Sequence, residues 1–145
     1  KIIISSTIKN QPSAGNTRPQ KFTIITDKRT KDLLYLAAFS QEWVKNAPAL
    51  IVVSSDTTKS FQRYGVRGLE RYSIVDGAFS SMLIHLQLID KGLSSCFVVA
   101  LNEDVVRQIL NMTLTELTIG IICIVYGNKI YASCYIGNVV NVISF

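Results

Sequence analysis

An α+β domain, with one mixed sheet and helices packed on it, is the fold class this sequence predicts, and three observations carry that reading. Short β-branched runs alternate with segments whose apolar residues recur at three- and four-residue steps. The spacing between them is uneven, which favours α+β over a regularly alternating parallel architecture. The chain has 145 residues and is 48% hydrophobic, enough for one domain spanning 1–145 with a core of its own.

The elements follow in chain order. Gln11-Pro12-Ser13-Ala14-Gly15-Asn16-Thr17-Arg18-Pro19 gathers small, turn-forming and prolyl residues into one loop, where the backbone can come close to something flat or charged. Lys21 to Thr26 is short and β-branched, a strand. From Thr30 to Val44 the apolar positions Leu33, Leu34, Leu36, Ala37, Phe39 and Trp43 keep a helical rhythm that stops before Asn46-Ala47-Pro48. Ala49 to Val53 is a buried strand, and the polar stretch from Ser54 to Gly65 is a loop or a short helix.

The longest helix is expected from Glu70 to Lys91, where Ile74, Val75, Ala78, Phe79, Met82, Leu83, Leu86 and Ile89 cover more than one side, with Gly92 closing it. An arc that wide has to be covered by the sheet, by other helices or by a partner subunit. Cys96 to Ala100 is a short strand, and Asn102 caps a brief helix running through Leu110. Leu117 to Tyr126 is a continuous apolar strand stopped by Gly127-Asn128, and Ile130 to Phe145 reads as extended and too apolar to stand unpaired in water.

Composition narrows the chemistry. Net charge is +5, with Lys1, Lys9, Arg18, Lys21, Lys28, Arg29 and Lys31 facing only Asp27 and Asp32 before position 33. Such an excess suits a phosphate-bearing partner, or is a solvated basic surface. It is not accompanied by the aromatic–basic strand pattern or helix motif of a nucleic-acid binder, so no nucleic-acid partner is expected. Cys96, Cys123 and Cys134 are odd in number, lack C-x-x-C spacing and read as buried thiols; with His85 the only histidine, no metal site is expected. No run approaches the ~20 apolar residues of a bilayer span. No signal peptide is visible, and a cytoplasmic location is expected.

Four segments carry a resemblance. They are Pro12-Ser13-Ala14-Gly15-Asn16-Thr17-Arg18-Pro19; Gln41-Glu42-Trp43-Val44 leading into Ala47 to Val53; Arg63-Tyr64-Gly65-Val66-Arg67-Gly68; and Lys91-Gly92-Leu93-Ser94-Ser95-Cys96 running on to Leu101-Asn102-Glu103-Asp104. In this order they resemble the nitroreductase family, and within it the SagB-type azoline dehydrogenases, over roughly residues 12 to 127. The first is similar to the family's P-S-A-G-N-x-Q-P-W loop, the last to its G-L-G-S-C segment and following turn.

The resemblance implies a nitroreductase-like mixed sheet flanked by helices, a long central helix at a homodimer interface, and FMN held between subunits. The activity it implies is two-electron transfer between NAD(P)H or another oxidisable small-molecule substrate and a nitro, quinone or azoline-type compound. Because the isoalloxazine performs the hydride chemistry, dedicated acid–base residues are optional, which suits a chain poor in histidine; no catalytic residue is assigned. By the same resemblance Pro12, Ser13, Ala14 and Asn16 line the ring or its ribityl tail, their other reading being an ordinary turn. Gln41 matches an amide that meets the pyrimidine edge, or is an exposed helix-end glutamine. Val98, Val99 and Ala100 present backbone groups to the ring edge, with side chains expected in the core, and Lys129 is a candidate for the phosphate.

Several positions depart from the pattern. Arg18 stands where the family has Gln, Gln20 where it has Trp, and Met82-Leu83 where a Gln-Asn pair is common. The family's N-terminal Arg-x-Ser-x-Arg element is not in this sequence, so either an upstream helix supplies it or Arg18, Arg63 and Arg67 serve as the cations, with Arg63 and Arg67 one helical turn apart. These departures motivate a rival reading, a flavin-free dimeric binding or scaffold subunit of the same fold.

Overall fold

The computed structural model describes residues 8–126. Strands β1 (Gln20–Ile25), β2 (Ala49–Asp56), β3 (Leu93–Val98) and β4 (Glu116–Tyr126) form one sheet in the order β1-β2-β4-β3. The α+β class stands, but among the described residues the sheet expected to be mixed has antiparallel pairings only. The helices around it are α1 (Lys28–Ala37), α2 (Glu42–Asn46), α3 (Thr57–Tyr64), α4 (Ser73–Asp90) and α5 (Glu103–Ile109), with a 3-10 turn at Ala14–Asn16 and a π turn at Gly68–Tyr72. The extended segment expected from Ile130 to Phe145 lies outside the described residues.

The sheet is the middle of three layers. Strand residues Ile25, Leu50, Val52, Val98, Ile121 and Cys123 meet Leu34, Ala37, Val44 and Val106 from α1, α2 and α5 on one face. On the other, Ile51, Val53, Ile119 and Ile122 meet Ile84 and Leu88 of α4. Both faces are covered, which explains why β2 and β4 read as continuous apolar runs rather than alternating ones. A bulge interrupts the β2–β4 ladder: Ser54 pairs with Thr118 and Val53 with Gly120, leaving Ile119 as the extra residue. It turns the Ile119 side chain onto α4 at Gly77, where a Cβ would stand 2.5 Å from Ile119 Cγ1.

Three expectations change in detail. The helix read from Thr30 to Val44 is two helices, broken where Phe39 (φ 53°) and Ser40 (φ 58°) take left-handed conformations. Phe39 N–H donates to Leu36 O and Ser40 N–H to Tyr35 O, closing α1, while Leu34, Ala37 and Val44 all enter the same core. Periodicity alone therefore passes over the break. The stretch from Ser54 to Gly65 resolves into the end of β2 and α3, whose first turn is capped by the Asp56 carboxylate accepting from Thr58 N–H. Finally, β3 begins at Leu93 and ends at Val98, so Val99 and Ala100 leave the ladder. No helix among the described residues is long and apolar enough to cross a membrane.

Candidate functional site

The small-residue loop is folded back on itself and fastened to α4. Ser13 Oγ accepts from Arg18 N–H (2.8 Å), Asn16 Oδ1 from Arg18 Nε (3.0 Å), and Thr17 Oγ1 donates to Ala14 O (3.0 Å). Asn16 (φ 57°), Arg18 (φ 48°) and Gly15 (φ 56°) are all left-handed, a conformation that costs non-glycine residues free energy and persists only where neighbours enforce it. Asp76 ties the loop to α4: Ala14 N–H donates to both of its carboxylate oxygens, at 3.0 and 3.1 Å. Gln20, in the place of the family's tryptophan, adds two bonds from Nε2, to Pro12 O (3.1 Å) and Asp76 O (3.3 Å). Pro12, Ser13, Ala14, Asn16 and Arg18 thus form one assembly.

Asp76 is 5% exposed, and among the described residues it forms no ion pair. Burial raises its carboxyl pKa above the ordinary value, opposed by the bond from Ala14. Sequence reasoning missed this residue. Its signal is an acid on the side of α4 that also carries Gly77, Ser80 and Ser81, all buried, with Ser80 Oγ and Ser81 Oγ donating back to the carbonyls of Asp76 and Gly77.

Gln41 and Ala100, which are distant in sequence, meet directly. Gln41 Nε2 donates to Ala100 O (2.8 Å) and Ala38 O (3.0 Å), and Gln41 Oε1 accepts from Trp43 Nε1 (3.1 Å). Asn102 N–H donates to Ala37 O (2.8 Å), so the exit from β3 is drawn off the sheet toward the α1–α2 junction. Of the three residues expected to have core side chains, only Val98 does; Val99 is 61% exposed and Ala100 is exposed too, because the strand has already ended. Lys129, the phosphate candidate, lies outside the described residues.

Around the loop, Gly15 packs so closely on Arg63 and Tyr64 of α3 that a Cβ would collide with both side chains. The Arg63 guanidinium lies over the Tyr64 ring at 5.7 Å, and Tyr64 meets Tyr72 edge to face at 5.0 Å. Gly65 (φ 60°) ends α3 between Arg63 and Arg67, so these two arginines do not share a helical face as expected. Arg63 shares one with Lys59 and Gln62 instead, and with Thr17 these line an open cleft of about 460 Å³. His85, on the far half of α4, pairs its Nδ1 with Ser95 Oγ and meets Phe97 edge to face at 6.0 Å, and burial lowers its pKa.

No protein-family model matches the chain, and no curated protein matches it in sequence. Solved structures do match in shape. A nitroreductase family protein from Clostridium difficile superposes with a TM-score of 0.75 at 23% identity, covering 98% of this chain and 84% of that one. One from Streptococcus pneumoniae gives 0.72 at 20%, covering 88% and 80%. The NADPH:FMN oxidoreductase from Vibrio harveyi, complexed with NAD+, gives 0.76 at 16%, covering 87% of this chain and 58% of its own. On these superpositions this chain has the nitroreductase fold.

Proposed function

We propose that this chain is an FMN-dependent oxidoreductase that works as a homodimer, passing two electrons between NAD(P)H or an oxidisable substrate and a nitro, quinone or azoline-type compound. The observation that carries this reading is the Gln41–Ala100 hydrogen bond, which joins two segments 59 residues apart that the family resemblance assigns independently to the ring's edge. The V. harveyi protein of the same fold, an NADPH:FMN oxidoreductase, supports the choice of cofactor.

The residues present fit a flat tricyclic ring. Ala14, Gly15 and Asn16 offer small side chains on a backbone held rigid by Asp76, and Val99 and Ala100 leave exposed backbone beyond the end of β3. Bound FMN would supply the hydride chemistry. The chain's part is to bind and orient. Loop 12–18 would pack on the ring, and the backbone at Val99 and Ala100 would meet its edge, with Gln41 fixing the path of that segment. An apolar stripe on α4 of Ile74, Val75, Phe79, Met82, Leu86 and Ile89, all exposed, supports the dimer, since a two-fold contact is the commonest way to cover such a face.

Incubating the purified protein with excess FMN and desalting it tests the reading. A retained flavin spectrum that bleaches with NADPH or NADH is the expected result. One observation favours the flavin-free scaffold instead: both Nε2 hydrogens of Gln41 are already spent inside the chain. A colourless protein after the same treatment would replace the first reading with the second.

A further inference from the structure

The geometry points to an oxyanion-binding subsite in the cleft between α3 and loop 12–18, which takes the carboxylate or phosphate group of a small-molecule substrate. Lys59, Gln62 and Arg63 recur at three and four residues along α3 and so face the cleft together, with Thr17 on the opposite wall. Arg18 stands beside them: its carbonyl receives Lys59 Nζ at 3.5 Å, the long limit for such a bond, so the ammonium remains available to a better acceptor. Among the described residues none of Arg18, Lys59 and Arg63 forms an ion pair. Two cations line the concavity, Lys59 and Arg63, neither of them in an ion pair among the described residues, and they raise its potential and concentrate anions there.

The cleft is also built rather than incidental. The Arg63 guanidinium lies over the Tyr64 ring, and Gly15 of the loop comes close to its Nε. The planar fork of the guanidinium matches a carboxylate or phosphate. A volume of about 460 Å³ suits part of a small molecule rather than a macromolecule. The walls come from the same loop that is proposed to pack on the ring, which puts an anionic tail beside the reacting end of a substrate.

The substrate assignment rests on the oxidoreductase reading, and the test has two arms so that the two fail separately. In the first, pyrophosphate is titrated calorimetrically into the protein without added flavin. Binding that weakens steeply with salt, and about tenfold in Lys59→Met and in Arg63→Gln, is expected, as each removes one charge-assisted contact. Lys28→Met, an equal charge change on α1, should bind like the wild type. No binding by the wild type, or equal loss in Lys28→Met, overturns the subsite whatever the flavin result. In the second arm, the flavin-loaded enzyme is assayed on p-nitrobenzoate and nitrobenzene. The expected outcome is a rise of about tenfold in the ratio of their KM values, p-nitrobenzoate over nitrobenzene, in either α3 variant. An unchanged ratio, or a tenfold loss of FMN affinity instead, overturns the substrate assignment, the latter by giving the cleft to the cofactor. Unchanged thermal unfolding midpoints would show that both exposed substitutions leave the fold intact.

Discussion

Asp76 concentrates the physical tension of the candidate site. Its carboxylate is buried, has no ion pair among the described residues, and accepts from Ala14 N–H across the loop. Asp76→Ala leaves that N–H unpartnered and frees the loop, and is expected to cost about 1–3 kcal/mol in chemical denaturation. Burial raises the folded pKa above the unfolded one, so the native state takes up a proton first as pH falls. Its contribution to stability is therefore full below the ordinary carboxylate pKa and declines as pH rises through the raised value. Comparing wild type with Asp76→Asn between pH 4 and 7, the difference in unfolding free energy should move in favour of the wild type at the acid end. A difference that is flat in pH would contradict the burial argument.

Between elements, the decisive contact is α4 on the sheet. Its inward side is made of Ser73, Asp76, Gly77, Ser80 and Ser81 as well as Ile84 and Leu88, so the first half of the helix approaches closely where the second half packs on apolar side chains. The β-bulge at Ile119 and the missing Cβ at Gly77 are complementary halves of that approach. Gly77→Ala improves helix propensity by up to ~1 kcal/mol but forces Ile119 aside, and overpacking of this kind costs about 1–3 kcal/mol. A net loss of stability is expected, with part of it recovered in Gly77→Ala combined with Ile119→Val. If the double variant is no more stable than Gly77→Ala alone, the two residues are not in conflict and the contact is misassigned.

At the level of the whole molecule, burying small polar residues on the inner side of α4 leaves its large apolar ones outside: Phe79 is 59% exposed and Ile89 64%. The proposed homodimer covers this stripe. Phe79→Glu with Leu86→Glu should weaken association by about 2 kcal/mol or more, the scale of interface hot spots. Light scattering at micromolar concentration would then shift from dimer toward monomer. A wild type that is already monomeric there would remove the need for a partner on α4 and with it a flavin held between subunits.

What could be read without coordinates was the set of local decisions. β-branched runs in β1, β2 and β4, the Asn102 cap on α5, whose side chain accepts from Val105 N–H, and Gly92 (φ 70°) just past α4 all depend on neighbours within a few residues, and all were legible. The loop at 12–18 was legible too, as a cluster of small residues, though not what holds it. Decisions involving distant segments were not. Periodicity cannot see the left-handed break at Phe39 and Ser40, because α1 and α2 feed one core. Nor can it tell that the first half of α4 faces the sheet with its small polar side, since a helix apolar over a wide arc does not say which part of the arc is covered. Asp76 meeting Ala14 across 62 residues, Gln41 meeting Ala100 across 59, and Thr17 sharing one cleft with Lys59 and Arg63 were settled only by chain topology. Hydrogen bonds between remote segments depend on where the sheet places its helices, and no single stretch of sequence contains that information.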